Sequence, residues 1–171
     1  MKYQIVYFSK SGNTKKLAHG LARILPAGQY RLVDLVREEP DEDAEVYLVG
    51  FGVQRGACPF AVLDLLERLA GRKILLFATG GLAAFTEYHK KLEPLITAFL
   101  PDDCEYLGFH LSQGSISNAG YDYLQSCLTN ADDQSAAKSL SSLYEYSQNH
   151  PDEEDIEEAC RFVRERLNCN A

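Results

Sequence analysis

Ser9, Ser11, Asn13 and Thr14 fall within the string SKSGNT, around a single glycine, Gly12, with Lys10, Lys15 and Lys16 alongside. Three hydroxyls and one amide supply neutral hydrogen-bond donors at short range. If a helix begins here, its first-turn N–H groups have no intrahelical acceptor and point at the same place. The helix dipole adds a partial positive charge, so the string can hold a phosphate monoester. Gly12 lets the backbone approach closely and take torsions other residues avoid. The string has neither the glycine spacing of a dinucleotide fingerprint nor that of a nucleoside-triphosphate loop. Serine and asparagine also cap helices with no ligand present. The elements that carry the string decide between the two.

Those elements alternate. Tyr3 to Ser9 reads as a strand and Thr14 to Leu25 as a helix with Leu17, Leu21, Ile24 and Leu25 on one face. Tyr30 to Leu35 is a short strand, and the charged run VREEPDEDAE is a loop or a single helical turn. Glu45 to Gly52 and KILLFATGG have continuous apolar cores, as in a parallel sheet buried on both faces. Phe60 to Ala70 and Thr86 to Leu100 are helices; the second turns Tyr88, Leu92, Leu95, Ile96 and Phe99 inward and is expected to kink or break at Pro94. CEYLGFHLSQG is a fifth strand. Residues 115–150 form an insertion with short helices at Tyr121 to Leu128 and Ser135 to Ser147, and HPDEEDIEEACRFVRERL closes the chain as a helix whose acidic start is a solvated cap. Right-handed crossovers then give a parallel sheet covered on both faces, with ligands beyond the carboxyl ends of the strands. The ends GVQRGACP, TGGLAAFTEY and SQGSIS share the small, polar character of SKSGNT, which favours a ligand over a bare cap.

YFSKSGNTKKLA resembles the phosphate loop of the flavodoxins, with Ser9, Ser11, Gly12, Asn13 and Thr14 matching its pattern at the end of the first strand. The resemblance implies an α/β three-layer sandwich with a five-stranded parallel sheet in the order 2-1-3-4-5 and FMN at its edge. It implies a phosphate set of Ser9, Lys10, Ser11, Gly12, Asn13 and Thr14. The ring would lie between a first loop carrying Val53, Gln54, Arg55 and Gly56 and a second carrying Thr79, Gly80, Gly81, Phe85 and Tyr88. The chain departs from the family in having no tryptophan, and no aromatic between Gly52 and Pro59. Stacking on that face then falls to Phe60, to backbone, or to nothing. Arg55 either faces the ring, where it would raise the reduction potential, or faces solvent in a turn. Cys58 is expected to be an inert loop thiol.

The 171 residues fit one domain, 46% hydrophobic and 25% charged, with a net charge of -8. Nucleic acid and anionic membrane are poor partners for such a surface. No apolar run spans a bilayer, and the N-terminal run is explained by the first strand. Five cysteines without a CxxC pair fit reduced thiols in the cytoplasm, and four scattered histidines lack metal-ligand spacing. An FMN-binding carrier that delivers electrons to a partner reductase follows from the resemblance. In size and in its HPDEED ending the chain is similar to short flavodoxin-like proteins of anaerobic bacteria that serve alongside tetrapyrrole reductases, one of them for bilirubin. Two alternatives stand beside it: an oxidoreductase acting directly on a quinone, a tetrapyrrole or NAD(P)H, with the insertion over the substrate; and an FMN-free module that binds a partner.

Overall fold

A computed structural model describes all residues except 42, 84, 129–133 and 168–171, and the side chains of all the rest except 86, 134 and 135. Five strands, β1 (Tyr3–Phe8), β2 (Tyr30–Asp34), β3 (Val46–Gly52), β4 (Lys73–Gly80) and β5 (Glu105–Gln113), pair in parallel in the order β2-β1-β3-β4-β5. The helices are α1 (Asn13–Ala22), α2 (Phe60–Glu67), α3 (Thr86–Thr97), α4 (Asn118–Leu128), α5 (Gln134–Ser147) and α6 (Glu153–Leu167). The architecture is the α/β flavodoxin-like sandwich expected from the sequence.

Alternation along the strands divides the core in two. Ile5, Leu48 and Leu75 face α1 and α6, meeting Leu17, Leu21, Ile156 and Val163. Val6, Val49 and Leu76 face α2 and α3, meeting Val62, Leu66, Leu92 and Ile96. The α1–α6 contact is close because Gly20 has no side chain: a Cβ there would lie 2.4 Å from Ile156 Cγ2. Register brings the carboxyl ends level, with Phe8 beside Phe51, Gly52 beside Thr79 and Gly80 beside Gln113. After β1 the chain first adds β2 on one side and then β3 on the other. The strand order therefore reverses at β1, and a crevice opens there.

Several local expectations are corrected. α1 stops at Ala22, and Arg23, Ile24 and Leu25 form tighter turns onto Gly20, Leu21 and Ala22 carbonyls. α3 does not break at Pro94; it continues to Thr97. The missing proline N–H removes one bond, and Thr97 Oγ1 donates to the Glu93 carbonyl at 3.0 Å in the same turn. Leu95 and Phe99 face out, while Leu92 and Ile96, one turn apart, are 2% and 1% exposed. The run after β2 agrees with the loop or single helical turn expected of it: the Arg37 and Glu38 N–H groups both meet the Asp34 carbonyl.

The insertion does form helices. α4 and α5 pack through Tyr121 and Tyr144, whose ring centroids are 4.6 Å apart, and Tyr144 donates to Asn118 Oδ1 at 2.6 Å. At α6, Asp152 Oδ1 accepts the N–H groups of Glu154 and Asp155, and Asp155 Oδ2 accepts that of Asp152. This reciprocal box is the cap expected from the acidic run. The Asp155 N–H holds the Asp152 carboxyl below the usual carboxylate range.

Candidate functional site

β1 ends at Phe8, and the next four residues turn the chain into α1. Gly12 sits at the N-cap with φ of 93°, in the left-handed region, and no atom lies within 4 Å of where a Cβ would be. Its N–H donates to Ser9 Oγ at 3.1 Å, which closes the loop. Its carbonyl accepts the Lys16 N–H at 2.9 Å. The first-turn N–H groups of α1 thus point across an open front. Ser11 and Lys10 are exposed, and Lys10 Nζ donates to Gln54 Oε1 at 3.3 Å.

Asn13 and Thr14 turn inward. Asn13 Nδ2 donates to the Ser115 carbonyl at 3.3 Å, and Ser115 Oγ donates back to Asn13 Oδ1 at 3.0 Å. The Thr14 hydroxyl lies 2.8 Å from that of Thr79, and both residues are buried. These bonds tie the first helix to the ends of β4 and β5. Gly114 permits the approach, since a Cβ there would lie 3.1 Å from Asn13 Nδ2.

After β3, Val53 continues the pairing by donating to the Thr79 carbonyl at 2.9 Å. Gln54 and Ala57 then exchange two backbone bonds of 3.0 Å around Arg55 (φ 51°) and Gly56 (φ 78°). Two successive left-handed residues make the tight reversal of a type I′ hairpin. After β4, Gly80 and Gly81 turn beside Gln113, whose amide donates to the Gly81 carbonyl at 2.9 Å. Tyr88 then reaches back over this turn, with its ring 3.6 Å from where a Gly80 Cβ would be. Burial raises the Tyr88 hydroxyl pKa above its ordinary value.

These loops surround a cleft of about 570 Å³. Lys10 and Ser11 bound one end, Gly52 through Gly56 one side, and Gly81, Leu82 and Tyr88 the floor of the next loop. The remaining wall comes from the insertion: Ser115, Ile116, Ser117, then Ala119, Gly120, Tyr123 and Leu124 of α4. Of the residues singled out in the sequence, Lys10, Ser11, Val53, Gln54, Arg55, Gly56, Gly81 and Tyr88 line the cleft. Asn13, Thr14, Thr79 and Gly80 lie behind them in the hydrogen-bonded strand-end network, Ser9 and the exposed Gly12 close the loop between β1 and α1, and Phe85 is exposed outside the cleft. Phe60, a stacking candidate in the sequence, is 89% exposed and outside the cleft. Burial pushes the Cys58 thiol up to about 12, which leaves it protonated and inert. The wall supplied by α4 comes from the insertion that the oxidoreductase alternative places over the substrate; its residues lie outside the expected FMN set, although SQGSIS matches the other strand ends in type and leads directly into α4.

The family model of the flavodoxin domain matches residues 4–164. The chain belongs to the flavodoxin family. Among this flavodoxin-like chain's relatives is the flavodoxin-like domain-containing protein BilS of Clostridioides difficile strain CD3, 28% identical over 181 residues that cover 98% of this chain and 97% of the relative. A second protein of that description, from Clostridium symbiosum strain WAL-14163, is 25% identical across 91% and 90% of the two chains. Among solved structures, a flavodoxin from Streptococcus pneumonia TIGR4 superposes with a TM-score of 0.59 at 17% identity, covering 98% of this chain and 99% of that one. Oxidised Flavodoxin 2 from Bacillus cereus gives 0.57 at 21% identity, with 98% and 99% covered. At such identities the structures establish the shared fold.

Proposed function

We propose that this chain is a single-domain FMN-binding electron-transfer protein of the cytoplasm that delivers electrons to a partner reductase. The observation that carries this reading is the cleft at the reversal of strand order, open at one end to the unpaired N–H groups of α1. The residues present fit the cofactor. Gly12 leaves the front of the loop free, the Ser11 hydroxyl and the Lys10 ammonium stand at its rim, and about 570 Å³ lies within the range of ordinary cofactor pockets.

In this reading Ser9, Ser11, Gly12, Asn13 and Thr14 form the phosphate loop. Backbone N–H groups and hydroxyls face the phosphate, while the Asn13–Ser115 and Thr14–Thr79 bonds keep the loop rigid. The hairpin of Val53 to Gly56 and the turn of Thr79 to Gly81, with Tyr88, border the ring. FMN when bound supplies one- and two-electron chemistry; the protein orients it and sets its potential. Lys10 and Arg55 place positive charge at the cleft on a molecule whose net charge is -8. Sequence resemblance makes a tetrapyrrole reductase the partner to try first.

A second reading, an oxidoreductase acting directly on a quinone, a tetrapyrrole or NAD(P)H, draws support from α4, which encloses the cleft on the β5 side. Purified protein is expected to show flavin absorbance in the visible region. A colourless protein that cannot be reconstituted would instead favour a partner-binding module. Stopped-flow mixing with NADPH separates the other two: a carrier is reduced only after a reductase is added, and immediate reduction by NADPH alone would contradict it.

A further inference from the structure

We propose that Tyr123, on the helix inserted after β5, is the aromatic that covers the bound ring, and that Arg55 braces it from the other side of the cleft; this rests on the flavin reading above. The loop from Gly52 to Pro59 contains no aromatic, and neither Phe60 nor Phe85 lines the cleft. Among the described residues, Tyr88 and Tyr123 are the aromatics that do.

Tyr123 reaches the cleft from the β5 side. Its helix leaves β5, whereas Arg55 sits in the hairpin after β3, and β4 lies between those strands. Neighbouring strands are about 4.8 Å apart, so the two residues belong to strands about 10 Å apart. The Arg55 guanidinium nevertheless lies over the Tyr123 ring, 5.5 Å from its centroid. The pair therefore bridges the mouth above the end of β4. Arg55 holds φ of 51°, which side-chain-bearing residues rarely adopt. A cation–π contact offsets part of that strain.

The face of α4 toward the cleft is shaped for a flat group. Ala119 and Gly120 are small, and Tyr123 and Leu124 follow one turn later on the same side. The root of the helix is fixed from two directions. Ser115 is bonded twice to Asn13 of the phosphate loop. The Ile116 N–H donates to Ser147 Oγ at 3.0 Å, and Gln148 Nε2 donates to the Ile116 carbonyl at 3.0 Å. Gly81 makes room for this root, since a Cβ there would lie 2.6 Å from Ile116 Cγ1. Tyr123 itself is 47% exposed, so part of its ring remains available to a ligand.

The test compares wild type with Tyr123→Ala, Tyr123→Phe and Arg55→Ala, each titrated with FMN and with riboflavin, which has the ring without the phosphate. Tyr123→Ala is expected to weaken both ligands by the same factor, roughly fivefold to tenfold for a lost aromatic stack. Tyr123→Phe retains the stack and wild-type affinities, and shows that the position tolerates substitution. Arg55→Ala weakens both ligands about twofold, through a less constrained Tyr123. The visible band of bound flavin shifts in Tyr123→Ala and stays in place in Tyr123→Phe. Wild-type affinities and spectrum in Tyr123→Ala, in a protein whose wild type binds FMN, would overturn the role of Tyr123 and leave the flavin reading standing. A wild type that binds neither ligand would overturn both.

Discussion

A threonine hydroxyl both donates and accepts, and Thr14 uses that capacity in the layer beneath the cleft. Its oxygen is 2.8 Å from that of Thr79, and both are buried. Thr14→Val leaves the Thr79 hydroxyl without this partner. Urea denaturation is expected to show a loss of about 1–3 kcal/mol, and an FMN titration a weaker complex, with Thr14→Ser close to wild type in both. Unchanged FMN affinity in the valine variant would remove Thr14 from the phosphate set. His110 permits a second prediction at this scale. Burial lowers its pKa to about 4, and its Nε2 lies 3.0 Å from Ser112 Oγ. Its unfolded value is near 6.5. Between these values the unfolded chain binds the proton and the folded chain does not, so stability falls as pH drops from about 6.5 to 4. The loss attributable to His110 is at most about 3 kcal/mol. Urea midpoints measured across that window should fall less steeply for His110→Gln than for wild type; identical slopes would contradict the assignment.

At the scale of elements, the crossing of α1 and α6 is a tight constraint. A methyl group at Gly20 would overlap Ile156 Cγ2, at 2.4 Å. Gly20→Ala is expected to destabilise by about 1–3 kcal/mol through overpacking. Adding Ile156→Ala should then lower stability by less than it does in the wild-type background, because the second change opens the space the first one needs. Simple additivity in thermal or urea melts would contradict that packing. What the sequence disclosed follows the same physics. Continuous apolar runs identified β3 and β4, and leucine spacing identified α1, because the burial pattern of a parallel sheet is written in residue type. The face of α3 was misread because Tyr88, Leu92, Leu95, Ile96 and Phe99 cover more than one helical stripe, and only packing against α2 and the sheet selects among them. Of the kink or break expected at Pro94, the break does not occur, because a single lost hydrogen bond does not end the helix. The helices of the insertion were legible from spacing, and the oxidoreductase alternative put them over the substrate, but the contacts that hold them there were not legible. α4 reaches the cleft through Ser115, Ile116 and Ser147, and pairings across 31 and 102 residues leave no local periodicity.

At the scale of the whole molecule, charge and binding set the predictions. A net charge of -8 is suited to a partner with a basic docking face. Electron transfer to such a reductase should slow as salt is raised from low to physiological ionic strength, and a rate independent of salt would contradict electrostatic docking. A ligand that binds only the folded chain also raises its stability, by about 2.7 kcal/mol at a hundredfold excess over its Kd. The melting temperature should therefore climb with FMN concentration. Among the described residues no helix is long and apolar enough to cross a membrane. The order of the sheet, and with it the location of the cleft, was legible through the resemblance of SKSGNT, at the end of the first strand, to the flavodoxin phosphate loop. What covers the ring was not, because Tyr123 and Arg55 meet only after the chain has folded. The measurement that bears most directly on the central claim is a pair of titrations of cofactor-stripped protein, one with FMN and one with riboflavin. Gripping of the phosphate by the start of α1 predicts that FMN binds much more tightly, with the difference shrinking when inorganic phosphate is added as a competitor. Equal affinity for the two, or no binding of either, would contradict it.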